Sequence, residues 1–359
     1  MEERSNTKNP ARLYALRAGN AKLSGVLLGI GALVALCVAG YALWTLTQSP
    51  IQSLDGARSG VLGAGEGAQN GEIAQTESIE EILGAVQVYV RNEQYPQATT
   101  VLEHAAAQYP SDQELRLALG DLYMLQNRHR DAYNQYIAAI EIGPSTAAIE
   151  FTAGTLANML DQVELAEAHY SAAMRMDPSN PDTPIYLAAI QMKLNRFDEA
   201  KVNLALAERL APDRAQIYVM RSDVAMRENK SRIALEQIRK ARQIEPQALA
   251  WVLQEARVLK RLGEPEEAIN LLASLNQDEL DIPETAYIMA ECSGMLGRPG
   301  DAASRLMDVA IKHPKDAKLA FEVALWLERA DERAEAIEWA KKAQRLGYVQ
   351  AQSWVESLP

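Results

Sequence analysis

Cysteine, histidine and phenylalanine are all scarce in this sequence: its 359 residues include two cysteines, four histidines and three phenylalanines. Two thiols, Cys37 and Cys292, cannot make the disulfide framework that staples a small secreted domain. His104, His129, His169 and His313 have no ligand spacing with one another or with Cys292, so neither a metal centre nor any other cofactor is expected. Aromatic residues make up only 6% of the chain, too few for the strands of a β-sandwich. An excess of positive charge is also missing. The 36 Lys+Arg against 48 Asp+Glu leave a net charge of -12, which argues against a nucleic-acid backbone as ligand because such binding rests on phosphate neutralisation. No glycine loop is followed by Lys-Ser/Thr, so a phosphate cradle is absent as well. Without a catalytic constellation the chain reads as non-enzymatic.

What is present is helical. Alanine is abundant and 48% of the residues are apolar, enough for a large core or a repeat array. One long hydrophobic run stands apart: Leu23 to Leu46 is 24 residues without a charge. At helical rise it spans the hydrocarbon core of a bilayer, about 30 Å thick. Tyr41 and Trp44 sit near its outer end, where amphipathic rings favour the headgroup layer. Arg4, Lys8, Arg12, Arg17 and Lys22 precede the run, and no basic cluster follows it. The excess of basic residues on that side is expected to keep residues 1–22 in the cytoplasm and to put everything after Leu46 across the membrane. A cleaved signal peptide is a competing reading, but its apolar core would be shorter and Gly40-Tyr41-Ala42 is a poor cleavage site. A lipoprotein is another, and Leu36 before Cys37 counts against it. Within the run, Gly25 and Gly29, and the row Gly31, Ala35 and Ala39, have the spacing that lets membrane helices approach closely; pairing of two copies through the span is left open.

Residues 47–78 form a linker. Gly56, Gly60, Gly63, Gly65, Gly67 and Gly71 punctuate it and few large apolar residues occur, a composition of flexible coil.

Beyond the linker a period emerges. Pro110, Pro144, Pro178, Pro212 and Pro246 are each 34 residues apart, and Pro314 lies two periods further. The same period carries an alanine through eight units: Ala98, Ala132, Ala166, Ala200, Ala234, Ala268, Ala302 and Ala336. A second position is small in seven of them (Gly120, Gly154, Ala188, Ser222, Ala256, Ala290, Ala324), with Val86 the exception. A third is mostly large (Leu102, Tyr136, Tyr170, Leu204, Ile238, Leu272, Leu306). A fourth is Asn, Asp or Gly in seven units (Asn127, Asp161, Asn195, Asn229, Gly263, Gly297, Asp331), the residue types of a tight turn. Each unit therefore reads as two amphipathic helices of about a dozen residues, joined at the turn residue and ended by the proline. Small residues let the pair approach, and the large residue packs across the gap. One hairpin cannot bury its own apolar face, so neighbours must stack.

This pattern resembles the tetratricopeptide repeat (TPR), most plainly in LALGDLYMLQNRHRDAYNQYIAAIEIGP, residues 117–144, and YLAAIQMKLNRFDEAKVNLALAERLAP, residues 186–212. The expected fold is an all-α TPR solenoid of about eight hairpins over residues 79–350, with residues 351–359 as a C-terminal cap that includes Trp354. The pattern lapses at Leu275, Leu280, Val309, Ala340 and Tyr348.

The resemblance implies partner binding along a groove formed by the first helix of each unit. It places Leu117, Phe151, Ile185, Val219 and Leu253 in one groove row, and Met124, Asn158, Met192, Met226 and Lys260 in another. Packing between adjacent first helices is the alternative for these positions. Met-rich apolar surfaces adapt to varied ligands, and an amphipathic helix could dock there. The family's carboxylate clamp needs Lys and Asn at such positions; the first row is apolar throughout, so binding of chaperone tails is not implied. Between Glu208 and Arg261 there are 12 Lys/Arg against 7 Asp/Glu, a local balance of +5. Lys193, Arg227, Arg257, Lys260 and Arg261 would make a cationic strip if they face the groove, suited to an acidic peptide or an anionic polymer. A solvated face paired with nearby carboxylates is the other reading. Cys292, on a first helix in apolar company, reads as a small core residue.

The anchor-plus-solenoid layout resembles bacterial envelope proteins held in the inner membrane, which implies a scaffold that recruits proteins outside the cytoplasm for assembly of a pilus, secretion or exopolysaccharide system. A carbohydrate-binding component of a polysaccharide exporter and a chaperone-like factor near the translocon are the alternatives.

Overall fold

The computed structural model describes residues 78–356, and among these there are helices and no strands. The expected span over 23–46, its glycine and alanine rows, residues 1–22 and 47–77 of the preceding segments, and residues 357–359 of the cap lie outside the described residues. Among the described residues, no helix is long and apolar enough to cross a membrane.

The described chain divides into two compact units at the turn between Leu194 and Asn195. The first holds α1 (Ile79–Arg91), α2 (Tyr95–Gln108), α3 (Gln113–Leu125), α4 (His129–Ile142), α5 (Ala147–Met159), α6 (Val163–Met176) and α7 (Asp182–Lys193). The second holds α8 (Phe197–Leu210), α9 (Ala215–Arg227), α10 (Ser231–Ile244), α11 (Leu249–Leu262), α12 (Pro265–Ala273), α13 (Gln277–Leu280), α14 (Pro283–Met295), α15 (Pro299–Lys312), α16 (Ala317–Arg329), α17 (Arg333–Arg345) and α18 (Val349–Glu356). In each unit, antiparallel hairpins stack in chain order.

The turn residues do what their types foretell. Asn127, Asp161, Asn195, Asn229 and Asp331 have φ of 58–64°, and Gly263 and Gly297 have 80° and 70°. This left-handed residue ends the first helix, and the next amide returns to a carbonyl five residues back, as Arg128 N does to Tyr123 O at 2.9 Å. The reversal is so tight that the second helices begin without side-chain caps. Several first helices carry them instead: Ser78 and Glu81 form a capping box, and Asp112, Thr146 and Asp316 each accept from a backbone amide in the first turn.

The alanine of the period is fully buried in all eight units. The second and third positions form matched pairs. A β-carbon on Gly120 would lie 2.8 Å from the Tyr136 ring, and one on Gly154 would lie 2.9 Å from Tyr170. The two tyrosines thus occupy space that only glycine leaves, whereas the next four units carry Ala188, Ser222, Ala256 and Ala290 there and have Leu or Ile as their large residue. Tyr136 donates its hydroxyl to Asp121, and Tyr170 shares a 3.0 Å hydrogen bond with Thr155.

One hairpin departs from a uniform array. Its second helix, α12, is only nine residues long. Ser274 turns its hydroxyl onto the Leu271 carbonyl at 2.7 Å, and Asn276 with Glu279 makes a capping box that starts the four-residue α13. The interruption falls on Leu275 and Leu280, where the repeat pattern lapses. Val309, by contrast, is fully buried, the larger side chain having been taken into the core. At the C-terminus α18 closes the last apolar face: Phe321 packs against Tyr348 and Trp354, with centroids 5.4 and 6.5 Å away.

Candidate functional site

Two concave features lie on first helices, one in each unit. In the first unit a groove of about 170 Å³ runs between α1 and α3. Leu83, Val86 and Val90 wall it on one side, and Leu117, Leu122 and Leu125 on the other. Glu114 and Asp121 supply its charge, and no described cation lines it. Asp121 accepts the Tyr136 hydroxyl, and burial holds its carboxyl up to about 6.

The second feature is a cleft of about 560 Å³ between α14 and α16. The Trp326 ring lies against Gly294, where a β-carbon would come within 2.2 Å of it. Arg329 covers that ring at 4.3 Å, and Lys318 lies 5.4 Å from the centre of Tyr287. The Tyr287 hydroxyl is buried without a hydrogen-bond partner. Glu322 is held above the usual carboxylate range by burial. Met295 projects from the rim, 53% exposed.

The sequence-derived groove rows divide between these features and the core. Leu117 walls the first groove, whereas Met124 is half-buried against the core of the first unit. Phe151 is half-buried in an aromatic cluster, 5.3 Å from Tyr170 and 5.1 Å from Tyr186. Val219 and Met226 are half-buried against the core of the second unit. Ile185 and Leu253 are 2% and 5% exposed, and Met192 is 9% exposed. These three do not present groove surface, because apolar side chains of this size at the seam between stacked helices gain more from burial than from exposure. Asn158 accepts a 2.7 Å hydrogen bond from Lys193.

The cationic strip is largely engaged with the protein itself. In the second unit Arg257 pairs with Glu284, and Lys260 pairs with Glu291. Arg261 donates to Asn229 at 2.5 Å, and the Arg227 guanidinium lies 5.8 Å from the Phe197 ring. Lys193, in the first unit, is held by Asn158. The local excess of +5 therefore does not gather as a free positive face, because α14 supplies carboxylates to two of its members.

Groove residues that the sequence reading missed belong to the same rows. Leu83 and Val90 stand 34 residues before Leu117 and Met124, and Tyr287 and Gly294 stand 34 after Leu253 and Lys260. Extending both rows to the ends of the array would have found them. Trp326 gave no such signal, since its role depends on the missing side chain of Gly294.

Among the described residues no group of His, Cys, Asp and Glu is placed to hold a metal ion. His169 is instead a structural link, its ring bonded to Glu150 at 2.7 Å and to Tyr133 at 3.2 Å. Cys292 is fully buried, and burial raises its thiol to about 11.

Residues 89–150 and 160–221 match the tetratricopeptide repeat family model. Those residues belong to the tetratricopeptide repeat family. At the coarse level that match supports, the protein is a tetratricopeptide repeat interaction scaffold. Among solved structures, it is similar to a tetratricopeptide repeat protein from Parabacteroides merdae, with 12% identity over 69% of this chain and 98% of that one, at a TM-score of 0.52. PilW, a widely conserved type IV pilus biogenesis factor, is 19% identical over 58% of this chain and 97% of its own, at 0.49. YrrB, a tetratricopeptide repeat protein with an unusual peptide-binding site, is 17% identical over 49% and 90%, at 0.46. At these identities the likeness is one of fold. No curated protein sequence matches the chain.

Proposed function

We propose that this chain is a non-enzymatic adaptor, anchored by the apolar run at 23–46, whose repeat domain recruits protein partners outside the cytoplasm during assembly of an envelope machine. The observation that carries the partner-binding part is the groove between α1 and α3, lined along first helices by apolar walls and two carboxylates. The anchoring part rests on the 24 uncharged residues and the basic segment before them. Together they define a mechanism by effective concentration: the span confines the repeats to the membrane surface, and the glycine-punctuated linker lets them sample partners there. A pilus, a secretion system or an exopolysaccharide exporter would each use such a device.

Photo-crosslinking from positions 117 and 295 in native membranes tests the reading. Capture of a discrete envelope protein from either position supports it. Capture of many unrelated unfolded clients would move it to a chaperone-like factor. Adducts found only with cytoplasmic proteins would overturn the topology.

A further inference from the structure

The two clefts differ in a way that bears on what each can hold. The cleft beside Trp326 contains charges of both signs, with Lys318 and Arg329 already lying over its aromatic rings. The groove between α1 and α3 is one-signed. Its ten lining residues include Glu114 and Asp121 and no Lys or Arg. The arginine of α3, Arg116, is engaged elsewhere, donating to Gln135 at 3.2 Å and to the Ala106 carbonyl at 3.3 Å. Asp121 has a hydroxyl partner in Tyr136 but forms no ion pair with any described residue. A carboxylate in such a place is poorly solvated, and a cation arriving with a ligand would restore what burial removed.

Size narrows the ligand further. A groove of about 170 Å³ falls well short of the ~300–1,000 Å³ of pockets that take whole small molecules. It has room for a large side chain of a longer segment lying across it. Six aliphatic walls favour an apolar side chain at that point, and the two carboxylates favour positive charge beside it.

We infer that the groove between α1 and α3 takes a basic, amphipathic peptide segment of the partner, with an aliphatic or aromatic side chain between Leu83, Val90, Leu117 and Leu125 and an adjacent Lys or Arg on Asp121. This rests on the partner-binding reading above and names the chemistry of the partner. It is opposite in sign to the acidic ligand that a cationic strip would have selected.

The test is selection from a phage-displayed library of random dodecamer peptides on the full chain in detergent micelles, followed by binding measurements on the enriched peptides. Three variants are compared, each first checked to keep its helix content and a cooperative melt. Leu117→Glu blocks the groove. Asp121→Asn removes the charge while its amide oxygen still accepts from Tyr136. Asp213→Asn removes an exposed carboxylate elsewhere and controls for general attraction to an acidic protein. The expected result is enrichment of Lys or Arg next to a large apolar residue, with binding weakened about tenfold or more by Leu117→Glu and by Asp121→Asn and unchanged by Asp213→Asn. Enriched peptides that are acidic or uncharged, yet still lost on Leu117→Glu, would overturn the basic preference and leave the groove as a partner site. Peptides indifferent to both groove variants, or no enrichment at all, would overturn the inference; the broader adaptor reading would then stand or fall on the crosslinks from position 295.

Discussion

At the scale of single residues, the repeat works by assigning backbone strain to side chains that tolerate it. Seven turns use Asn, Asp or Gly at positive φ, but the first hairpin places Glu93 there, at 57°. A long side chain in that region costs about 1–2 kcal/mol, which glycine avoids. Glu93→Gly is therefore expected to stabilise the protein by about 0.5–1 kcal/mol, read as a higher urea midpoint with an unchanged slope. The glycine–tyrosine pairs invite the opposite experiment. Gly154→Ala would force its methyl into the fully buried Tyr170 ring and should destabilise by about 1–3 kcal/mol. Adding Tyr170→Leu, the pairing that Ala256 and Leu272 make in the second unit, should recover much of that loss, and a double-mutant cycle measures the coupling. Cys292 offers a simpler check. A fully buried thiol raised to about 11 should stay unreactive toward a thiol reagent until the protein unfolds.

At the scale of elements, the joints between hairpins hold polar groups that the repeat pattern does not require. Glu255 on α11 is 3% exposed, and it is clamped by Arg239 at 2.8 Å and Arg242 at 2.5 Å, both from α10. Arg239 also reaches Glu267 on α12 at 2.5 Å, so one side chain ties three helices together. Removing one partner of a buried pair leaves an uncompensated charge. Replacing both Arg239 and Arg242 by Ala strands the Glu255 carboxylate in the interior and should cost about 3–5 kcal/mol in equilibrium unfolding, whereas truncating the exposed pair Arg298–Glu266 should cost no more than about 1. Similar stability losses for both would mean that solvent reaches Glu255.

At the scale of the whole molecule, the buried first-helix carboxylates make stability depend on pH. Asp121 and Asp223 are both raised to about 6 by burial, against an ordinary value of 3.8. The folded chain then binds more protons than the unfolded chain between those values. The stabilising contribution of each group is thus complete below about pH 4 and lost as pH rises through about 6. Asp121→Asn should accordingly leave stability nearly unchanged at pH 4 and raise it at pH 7.5, seen as a gap between urea midpoints that opens across that range. The proposed topology makes its own prediction. A C-terminal alkaline phosphatase fusion should be active outside the cytoplasm and membrane-bound with residues 1–46 present, and an inactive fusion would reverse the orientation.

The sequence by itself determined the period, the hairpin, the turn residue and the small–large pairing across it. Each is dictated by local sterics that recur every 34 residues, so repetition makes them legible. Leu117, which the resemblance puts in a groove row, lines the groove between α1 and α3 together with Leu83 one period before it. Tertiary structure decided the rest. Ile185, Met192 and Leu253 look like Leu117 in the sequence, yet stacking buries them while it leaves Leu117 on a wall. Arg257 and Lys260 read as a positive strip until α14 brings Glu284 and Glu291 to them. Glu255 is a buried charge only because α10 brings Arg239 and Arg242 to it. In every such case the deciding group comes from a neighbouring helix, and the energy of a charge or an aliphatic side chain depends on whether that neighbour has displaced its water.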